Sequence, residues 1–488
     1  MRWYSLVQEV LSMEQMVHII QNGLTKKNSP KRVTVIGGGL SGLVSASLLK
    51  EAGHEVTILE ANRRIGGRIY TKREPFLNYQ YTELGAMRIP STHLLTFALI
   101  NKFNLKVNEF INSTPNDLIY VNNVLTNQKT YDSNPDILNY SVADNEKGKT
   151  AEELLRSAIG PVIDFINQDP VNNWDIIIKK FDQYSMENFL KYNPVGNSLS
   201  TGAIDMIKTM IGIEGFPELA FTAILREVIV LLTPNLKLYE ITGGTDFLVR
   251  AFLPQLEENI FLNERVTKIT QEDKVIIYTE NEVLNRQSQH ECDYVISTIP
   301  YSLFNFVDIH PYESFSINKW KVIRELHYAD STKIAIQFKT KFWEKFGLFG
   351  GKLTTDLPIK FSYFPSHDFG DNTGVILASY TWEDDATIWE SMKNNTRIDK
   401  ALANLSIIFG DVVYKEFLVG YSQSWMQFPF SGGAFVMYKP NQKRDLGPFV
   451  NNPEGRVHFG GSHASSTPGW MQGAIESGVR TAYEVNSL

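Results

Sequence analysis

Residues 32–60 read RVTVIGGGLSGLVSASLLKEAGHEVTILE. A β-branched run ends at Gly37, a helical run of small and apolar residues closes at Gly53, and a second β-branched run ends in Glu60. This order predicts a strand, a helix and a second strand in one βαβ unit of 29 residues. The glycine string G-x-G-x-x-G lies between strand and helix, with an acid 18 residues after its last glycine. That context is typical of a dinucleotide-binding site.

Each residue type in this unit has a physical reason. Gly37 permits a tight turn, Gly39 lets the backbone approach a pyrophosphate, and Gly42 lets helix and strand pack closely. The start of the helix offers free N–H groups and a positive dipole end to phosphates. Glu60 would accept hydrogen bonds from ribose hydroxyls and would repel a 2′-phosphate, which disfavours NADP. The alternative is a glycine-rich turn that binds no ligand.

A second flexible turn, Gly66-Gly67-Arg68, follows six residues after Glu60, where the second half of a large dinucleotide could pass. The strings VTVIGGGLSGL and VTILEANRRIGGRIYT together resemble the N-terminal signature of the flavin-dependent amine oxidase family. The resemblance implies FAD, and a nicotinamide enzyme would not need the second turn. It also implies an α/β fold, with a Rossmann-like FAD-binding domain of the glutathione-reductase type that is split in sequence.

The same resemblance divides the chain into three parts. We expect an FAD-binding domain formed by residues 31–72, 236–325 and 446–488. A substrate-binding domain, built on a mixed sheet, is expected to comprise 1–30, 73–130 and 326–445, and a helical domain 131–235. Residues 4–20 carry a helical stripe of apolar side chains. They predict a surface helix packed on the body, and the alternative is a helix on a membrane surface.

A candidate substrate arginine lies in Gly85-Ala86-Met87-Arg88. This segment resembles the G-x-M-R segment of L-amino acid oxidases and amino-acid 2-monooxygenases, in which the arginine holds the α-carboxylate of the substrate. A guanidinium fork matches a carboxylate bidentately, which agrees with that role for Arg88. Monoamine and polyamine oxidases act on substrates without a carboxylate and have no use for it. The alternative for Arg88 is a surface position or an intraprotein salt bridge.

Three further segments resemble the same branch and imply residues beside the flavin. The resemblance implies that Lys333 holds a water against flavin N5; without it, Lys333 would be an edge-strand lysine. It implies that a residue of SYTWEDDA, either Ser379 or Tyr380, helps to bind the substrate carboxylate, and we prefer Tyr380. Trp425 and Trp470 are implied as aromatic walls, the alternative being ordinary core tryptophans. A helix from about Trp470 would direct its N–H groups at the electron-rich edge of the flavin.

The resemblance also implies a set of cofactor contacts and shows two departures. The residues expected to contact FAD are Gly37, Gly39, Leu40, Ser41, Gly42, Glu60, Ala61, Gly67, Arg68, Gly85, Ala86, Met87, Arg88, Val266, Gly461, Ser462, Trp470, Met471 and Ala474. Ser462-His463 stands where many members have an acid that contacts the ribityl chain. Arg226-Glu227 stands near an active-site histidine of the snake-venom enzymes, so no histidine base can be carried over and the side-chain pocket is expected to differ.

Composition excludes several other functions. The 47 basic and 54 acidic residues give a net charge of −7, which argues against a nucleic-acid or anionic-membrane partner. No apolar run approaches the ~18–20 residues of a membrane span. The single cysteine, Cys292, leaves no intrachain disulfide, so we expect a reducing, cytoplasmic location. The 9 histidines are scattered, and we expect no metal site.

The resemblance implies an L-amino acid oxidase that uses FAD, an L-amino acid and O2. Hydride transfer from Cα to flavin N5 would lead to a 2-oxo acid, ammonium and hydrogen peroxide. We expect a homodimer or a higher homo-oligomer. The alternatives are an amino-acid 2-monooxygenase that releases an amide, a monoamine or polyamine oxidase, and a flavin-binding protein with a vestigial redox site. Arg88 and Lys333 together argue against the last of these.

Overall fold

The computed structural model describes residues 11–233, 235–367 and 370–488. The strands are β1 (Arg32–Ile36), β2 (Glu55–Glu60), β3 (Thr71–Lys72), β4 (Thr82–Glu83), β5 (Ile89–Pro90), β6 (Val107–Glu109), β7 (Leu118–Val121), β8 (Val124–Asn127), β9 (Leu238–Ile241), β10 (Ile260–Leu262), β11 (Arg265–Gln271), β12 (Val275–Asn281), β13 (Arg286–Cys292), β14 (Tyr294–Ser297), β15 (Asp308–His310), β16 (Tyr328–Ala329), β17 (Ser331–Phe338), β18 (Lys352–Thr355), β19 (Phe361–Tyr363), β20 (Gly374–Trp382), β21 (Phe417–Ser424), β22 (Phe435–Val436) and β23 (Val457–Phe459). The α-helices are α1 (Met13–Asn22), α2 (Leu40–Glu51), α3 (Leu94–Lys102), α4 (Gln128–Ser133), α5 (Ala151–Gln168), α6 (Pro170–Phe181), α7 (Met186–Lys191), α8 (Thr201–Met210), α9 (Phe221–Leu231), α10 (Asp246–Arg250), α11 (Leu253–Leu256), α12 (Tyr301–Phe304), α13 (Ile317–Glu325), α14 (Glu383–Glu390), α15 (Asn394–Phe409), α16 (Val412–Glu416), α17 (Gln442–Val450) and α18 (Met471–Ser487).

A five-stranded parallel sheet has the order β10-β2-β1-β14-β23. The predicted βαβ unit is confirmed, because β1 and β2 pair in parallel and α2 connects them. Helix α2 is buried over almost its whole length, since it lies between the sheet and α18. A Cβ at Gly478 would lie 2.6 Å from the carbonyl oxygen of Ser41, so a glycine is what lets α18 approach α2 so closely.

A second, seven-stranded mixed sheet has the order β21-β17-β20-β19-β18-β7-β8. Strand β17 is buried along its length and lies between β21 and β20, so the alternative of an edge-strand lysine at Lys333 is wrong. Lys333 is the direct cross-strand partner of Tyr380. Opposite residues of an antiparallel pair share one face, so the two side chains project together.

Helices α4 to α9 account for most of residues 131–235. Strand β9 pairs with β5 and β6 in a three-stranded sheet, and so joins the chain after the helices to the segments that precede them. The boundaries of the three predicted domains stay a prediction.

In its described part, the N-terminal helix begins and ends two residues later than predicted. Helix α1 begins at Met13 because Ser12 caps it, in a reciprocal capping box with Gln15. It buries Met16 and Ile20 and packs on α3 and α18, as expected for a helix on the body. Residues 4–10 of the predicted helix lie outside the described residues. Across the residues that the structure describes, no helix has both the length and the apolar character needed to cross a membrane.

Candidate functional site

A cavity of about 450 Å³ extends from the carboxyl ends of β1 and β2 to the first turn of α18. Its position agrees with the site that open α/β sheets offer to ligands. The predicted site residues on its wall are Gly37, Gly39, Leu40, Ser41, Glu60, Ala61, Gly67, Arg68, Gly85, Ala86, Met87, Arg88, Val266, Lys333, Tyr380, Trp425, Gly461, Ser462, Trp470, Met471 and Ala474. Gly42, and Ser379 as the alternative to Tyr380, do not line the cavity.

The glycines of the first turn have separate roles. A Cβ at Gly42 would lie 2.0 Å from the carbonyl oxygen of Gly37, so Gly42 serves the packing of helix on strand. Among the described residues beyond its chain neighbours, the atom nearest to a Cβ at Gly39 would be Cα of Gly67, at 3.9 Å, which leaves room for a ligand against the backbone. The amide of Gly66 donates to the carbonyl oxygen of Gly38 at 2.8 Å. The two glycine turns therefore form one continuous wall.

Glu60 closes this wall at the end of β2. Its Oε2 accepts from the amide of Gly38 at 2.6 Å and its Oε1 from the amide of Asn62 at 2.7 Å. Burial raises the pKa of Glu60, while these two hydrogen bonds favour the carboxylate. Each oxygen keeps a lone pair for a hydroxyl. The open face at Gly39, the start of α2 and this carboxylate together fit a dinucleotide.

Lys333 is fully buried at the other end of the cavity. Its Nζ donates to the carbonyl oxygens of Gly85 at 2.8 Å and Glu83 at 3.2 Å, and it lies 4.4 Å from the ring centroid of Tyr380. Burial lowers the pKa of Lys333 to about 7, and the positive charge of Arg88 acts in the same direction. The Lys333 side chain can therefore gain or lose a proton near neutral pH.

Arg88 is half-buried between the first cavity and a second cavity of about 530 Å³. Its Nη1 donates to Oδ1 of Asn112 at 2.6 Å, and its guanidinium lies 5.6 Å from the ring centroid of Tyr363. Among the described residues, no carboxylate lies within 4.0 Å of this guanidinium. The described residues therefore offer Arg88 no partner for an intraprotein salt bridge.

The structure distinguishes the two candidates on β20. Tyr380 lines the cavity, whereas the hydroxyl of Ser379 donates to the carbonyl oxygen of Ile359 at 3.0 Å and is not on the cavity wall. Burial raises the pKa of Tyr380 to about 12, so its phenol stays neutral and can donate a hydrogen bond.

Two tryptophans on the cavity wall are held by their indole N–H groups. Trp425 donates to the carbonyl oxygen of Leu84 at 2.8 Å. Trp470 donates to Oε2 of Glu227 at 2.9 Å and meets the ring of His93 edge-on at 5.0 Å. Glu227 also lines the cavity, a position that its departure from the family pattern does not predict. The sequence signal for this position is an acidic residue on the buried face of the apolar helix α9.

His463 lies behind the cavity wall formed by Gly461 and Ser462. It is buried, and neither ring nitrogen has a hydrogen-bond partner among the described residues. Burial lowers the pKa of His463 well below its usual range, and the positive charge of Arg68 lowers it further. The imidazole is therefore neutral in the folded protein. Within the described ranges, no group of three or more His, Cys, Asp or Glu side chains could hold a metal ion.

Known proteins resemble this chain in sequence and in fold. The sequence profile of the family described as "Flavin containing amine oxidoreductase" matches residues 40–486. A Bacillus subtilis (strain 168) protein named "Putative L-amino-acid oxidase YobN" is 50% identical over 480 residues, covering 98% of this chain and 99% of its own. An L-amino-acid oxidase of Siganus canaliculatus is 35% identical, covering 97% of this chain and 88% of its own.

Two solved structures share the fold. Putrescine oxidase bound to putrescine has a TM-score of 0.77 at 18% identity, covering 94% of this chain and 100% of its own. Cyclohexylamine oxidase from Brevibacterium oxydans IH-35A has a TM-score of 0.75 at 17% identity, covering 94% and 99%.

Proposed function

This chain belongs to the flavin-containing amine oxidoreductase family, and we propose that it is an FAD-dependent L-amino acid oxidase. The reaction converts an L-amino acid, O2 and water into a 2-oxo acid, ammonia and hydrogen peroxide. The observation that carries the proposal is Arg88, a guanidinium without an acidic partner among the described residues, on the same cavity wall as the glycine turns and Lys333. The names of the relatives at 50% and 35% identity favour the same substrate class.

The residues for FAD lie at both ends of the cavity. The start of α2 and the open face at Gly39 would hold the pyrophosphate, and Glu60 would hold a ribose. The first turn of α18 would direct its N–H groups at the electron-rich edge of the ring system. When bound, the flavin accepts a hydride from carbon and passes the electrons to dioxygen.

Arg88 and Tyr380 would hold the substrate. The guanidinium binds the α-carboxylate, the neutral phenol donates a second hydrogen bond, and Asn112 fixes the guanidinium from behind. Two such anchors orient the Cα–H bond, and orientation of this kind is worth up to ~7 kcal/mol. The α-ammonium must lose a proton before the C–H bond breaks, because only the neutral amine has a lone pair that stabilises the developing iminium.

Lys333 would hold a water beside the cofactor. Its buried ammonium donates to two backbone carbonyl oxygens, and its third donor faces Sδ of Met87 at 3.5 Å, a weak acceptor that a water would replace. A charge held in a buried site stabilises charge that develops near it during electron transfer to dioxygen.

Anaerobic titration tests the proposal. The purified holoenzyme is mixed with each of the twenty standard amino acids, and with the D-enantiomer of each chiral one, and the loss of flavin absorbance is recorded. We expect reduction by L-amino acids only and, in air, equal amounts of 2-oxo acid and peroxide. Reduction by amines such as putrescine but not by amino acids would indicate an amine oxidase. Stoichiometric amide with little peroxide would indicate a monooxygenase, and no reduction at all would indicate a vestigial site.

A further inference from the structure

Glu227 places a carboxylate on the cavity wall that also contains Trp470 and Arg88. Its side chain comes from α9, is 8% exposed, and accepts one hydrogen bond, at Oε2, from the indole of Trp470. Among the described residues, its Oε1 has no hydrogen-bond partner, and no cationic side chain lies within 4.0 Å of the carboxylate. A buried carboxylate with a free oxygen is costly unless a partner completes it.

The cations near Glu227 are already engaged. Arg226 is on the same helix, but its guanidinium donates to the carbonyl oxygen of Ser466 and lies 4.7 Å from the ring centroid of Trp174. Arg88 lines the same cavity, but its guanidinium donates to Asn112 and is the proposed site of the substrate carboxylate. Each cation favours the charged form of Glu227 without pairing with it.

Substrate binding changes this charge balance. An amino acid whose α-amine has become neutral carries one negative charge, on its carboxylate, and this charge neutralises Arg88. A substrate with an uncharged side chain therefore leaves Glu227 as an uncompensated buried anion. A substrate with a cationic side chain supplies the missing charge and a hydrogen-bond donor for Oε1. Leu231 and the ring of Trp470, both on the cavity wall, can pack against the methylene stem of such a side chain.

We propose that Glu227 selects L-amino acids with cationic side chains, such as L-lysine and L-arginine, by pairing with the side-chain ammonium or guanidinium. The inference rests on the proposed function and names the substrate class of the same site. Burial raises the pKa of Glu227 to about 7, against the opposing effects of Trp470, Arg226 and Arg88. The pairing should therefore strengthen as the pH rises from 6 to 8 and the carboxylate ionises.

Two substrate pairs isolate the side-chain charge. L-Norleucine is L-lysine without its ε-ammonium, and L-citrulline is an uncharged analogue of L-arginine. We expect the holoenzyme to prefer the charged member of each pair in kcat/KM by a factor on the order of 100, and the ratio to rise through pH 7. Effects on the α-amine cancel in the ratio, because both members of a pair carry it. A ratio near one, or one that does not change with pH, would overturn the inference.

Glu227→Gln keeps the shape of the side chain and the acceptor for Trp470 but removes the charge. We expect it to lose the preference for L-lysine, because kcat/KM for L-lysine falls with the loss of the pairing charge while kcat/KM for L-norleucine rises as the uncompensated anion is removed. An equal fall for both substrates would overturn the inference, because it would assign Glu227 to proton transfer or to holding Trp470. Glu218→Gln, which removes a glutamate outside both large cavities, is the matched control and should keep the parent ratio.

The absorbance spectrum of Glu227→Gln shows whether the variant retains flavin. If it does not, the ratio of kcat/KM values for L-lysine and L-norleucine in the parent enzyme still tests the inference. The outcomes also separate the two proposals. Reduction by L-norleucine and L-lysine at equal rates rejects selection by Glu227 and leaves the oxidase standing. Failure of every L-amino acid to reduce the flavin rejects the oxidase itself.

Discussion

Lys333 and Gly85 are joined by a hydrogen bond of 2.8 Å, from the lysine Nζ to the glycine carbonyl oxygen. Lys333 belongs to β17, whereas Gly85 begins the segment that ends in Arg88. The bond therefore holds an ammonium and a guanidinium on one wall of the cavity, next to Tyr380. Four predictions test what this arrangement and its surroundings do.

Lys333→Met should slow the reaction with dioxygen by a factor on the order of 100, because it removes a buried charge near the site of electron transfer. Reduction by the amino acid should change much less. The parent rate with dioxygen should rise as the pH falls through about 7, where Lys333 gains its proton, and the variant rate should be flat. Stopped-flow absorbance measures both half-reactions. Lys319→Met removes another buried lysine outside the cavity and should keep the parent profile.

Arg88→Ala should lower kcat/KM for L-phenylalanine by about 100-fold or more, mainly through KM, because the carboxylate loses its guanidinium. The same variant should act on 2-phenylethylamine, which lacks the carboxylate, as the parent does. Steady-state peroxide assays with both compounds measure the change. Equal effects on the two compounds would contradict the carboxylate assignment.

Gly39→Ala and Gly42→Ala should separate cofactor approach from packing. Residue 39 has φ −77°, and the nearest atom to a methyl group there, among the described residues beyond its chain neighbours, is 3.9 Å away. The fold should therefore hold while flavin affinity falls about tenfold or more. A methyl group at residue 42 would overlap the carbonyl oxygen of Gly37, which should cost about 1–3 kcal/mol of stability. Flavin titration and urea unfolding of the apoproteins distinguish the two effects. Unchanged flavin affinity in Gly39→Ala would place the pyrophosphate elsewhere.

His463 should make the protein sensitive to acid. Its folded pKa lies well below the unfolded value of 6.5, so the fold keeps the imidazole neutral while the unfolded chain gains a proton. This one group should therefore lower the free energy of unfolding by about 1.4 kcal/mol for each pH unit below 6.5. His463→Leu should reduce the slope of the parent protein by this amount. Urea unfolding between pH 4.5 and 7.5 measures it, and equal slopes in parent and His463→Leu would refute the assignment.

The βαβ unit was predictable from sequence because its signals are local. The spacing of Gly37, Gly39 and Gly42 and the acid at Glu60 encode a turn, a helix start and a strand end within one short segment. The N-terminal helix shows the limit of this reasoning. Its apolar stripe continues before Ser12, but the capping hydrogen bonds of that serine determine where the described helix begins.

The candidate site was predictable only through resemblance, because its parts meet by strand register and helix rotation. No local pattern shows that Lys333 pairs with Tyr380, or that Ser379 is not on the cavity wall. The resemblance assigned no role to Glu227, so only its position on the buried face of α9 revealed it. The cytoplasmic location and the homo-oligomer stay predictions from composition and resemblance.

The contact between Gly66 and Gly38 has a consequence for affinity. Because a backbone hydrogen bond of 2.8 Å fastens one turn to the other, neither has to become ordered when the dinucleotide enters. The two turns lose their conformational entropy during folding, whereas a flexible loop would lose it when the dinucleotide binds. The apoprotein should thus be a preorganised receptor, with tight cofactor retention as the result.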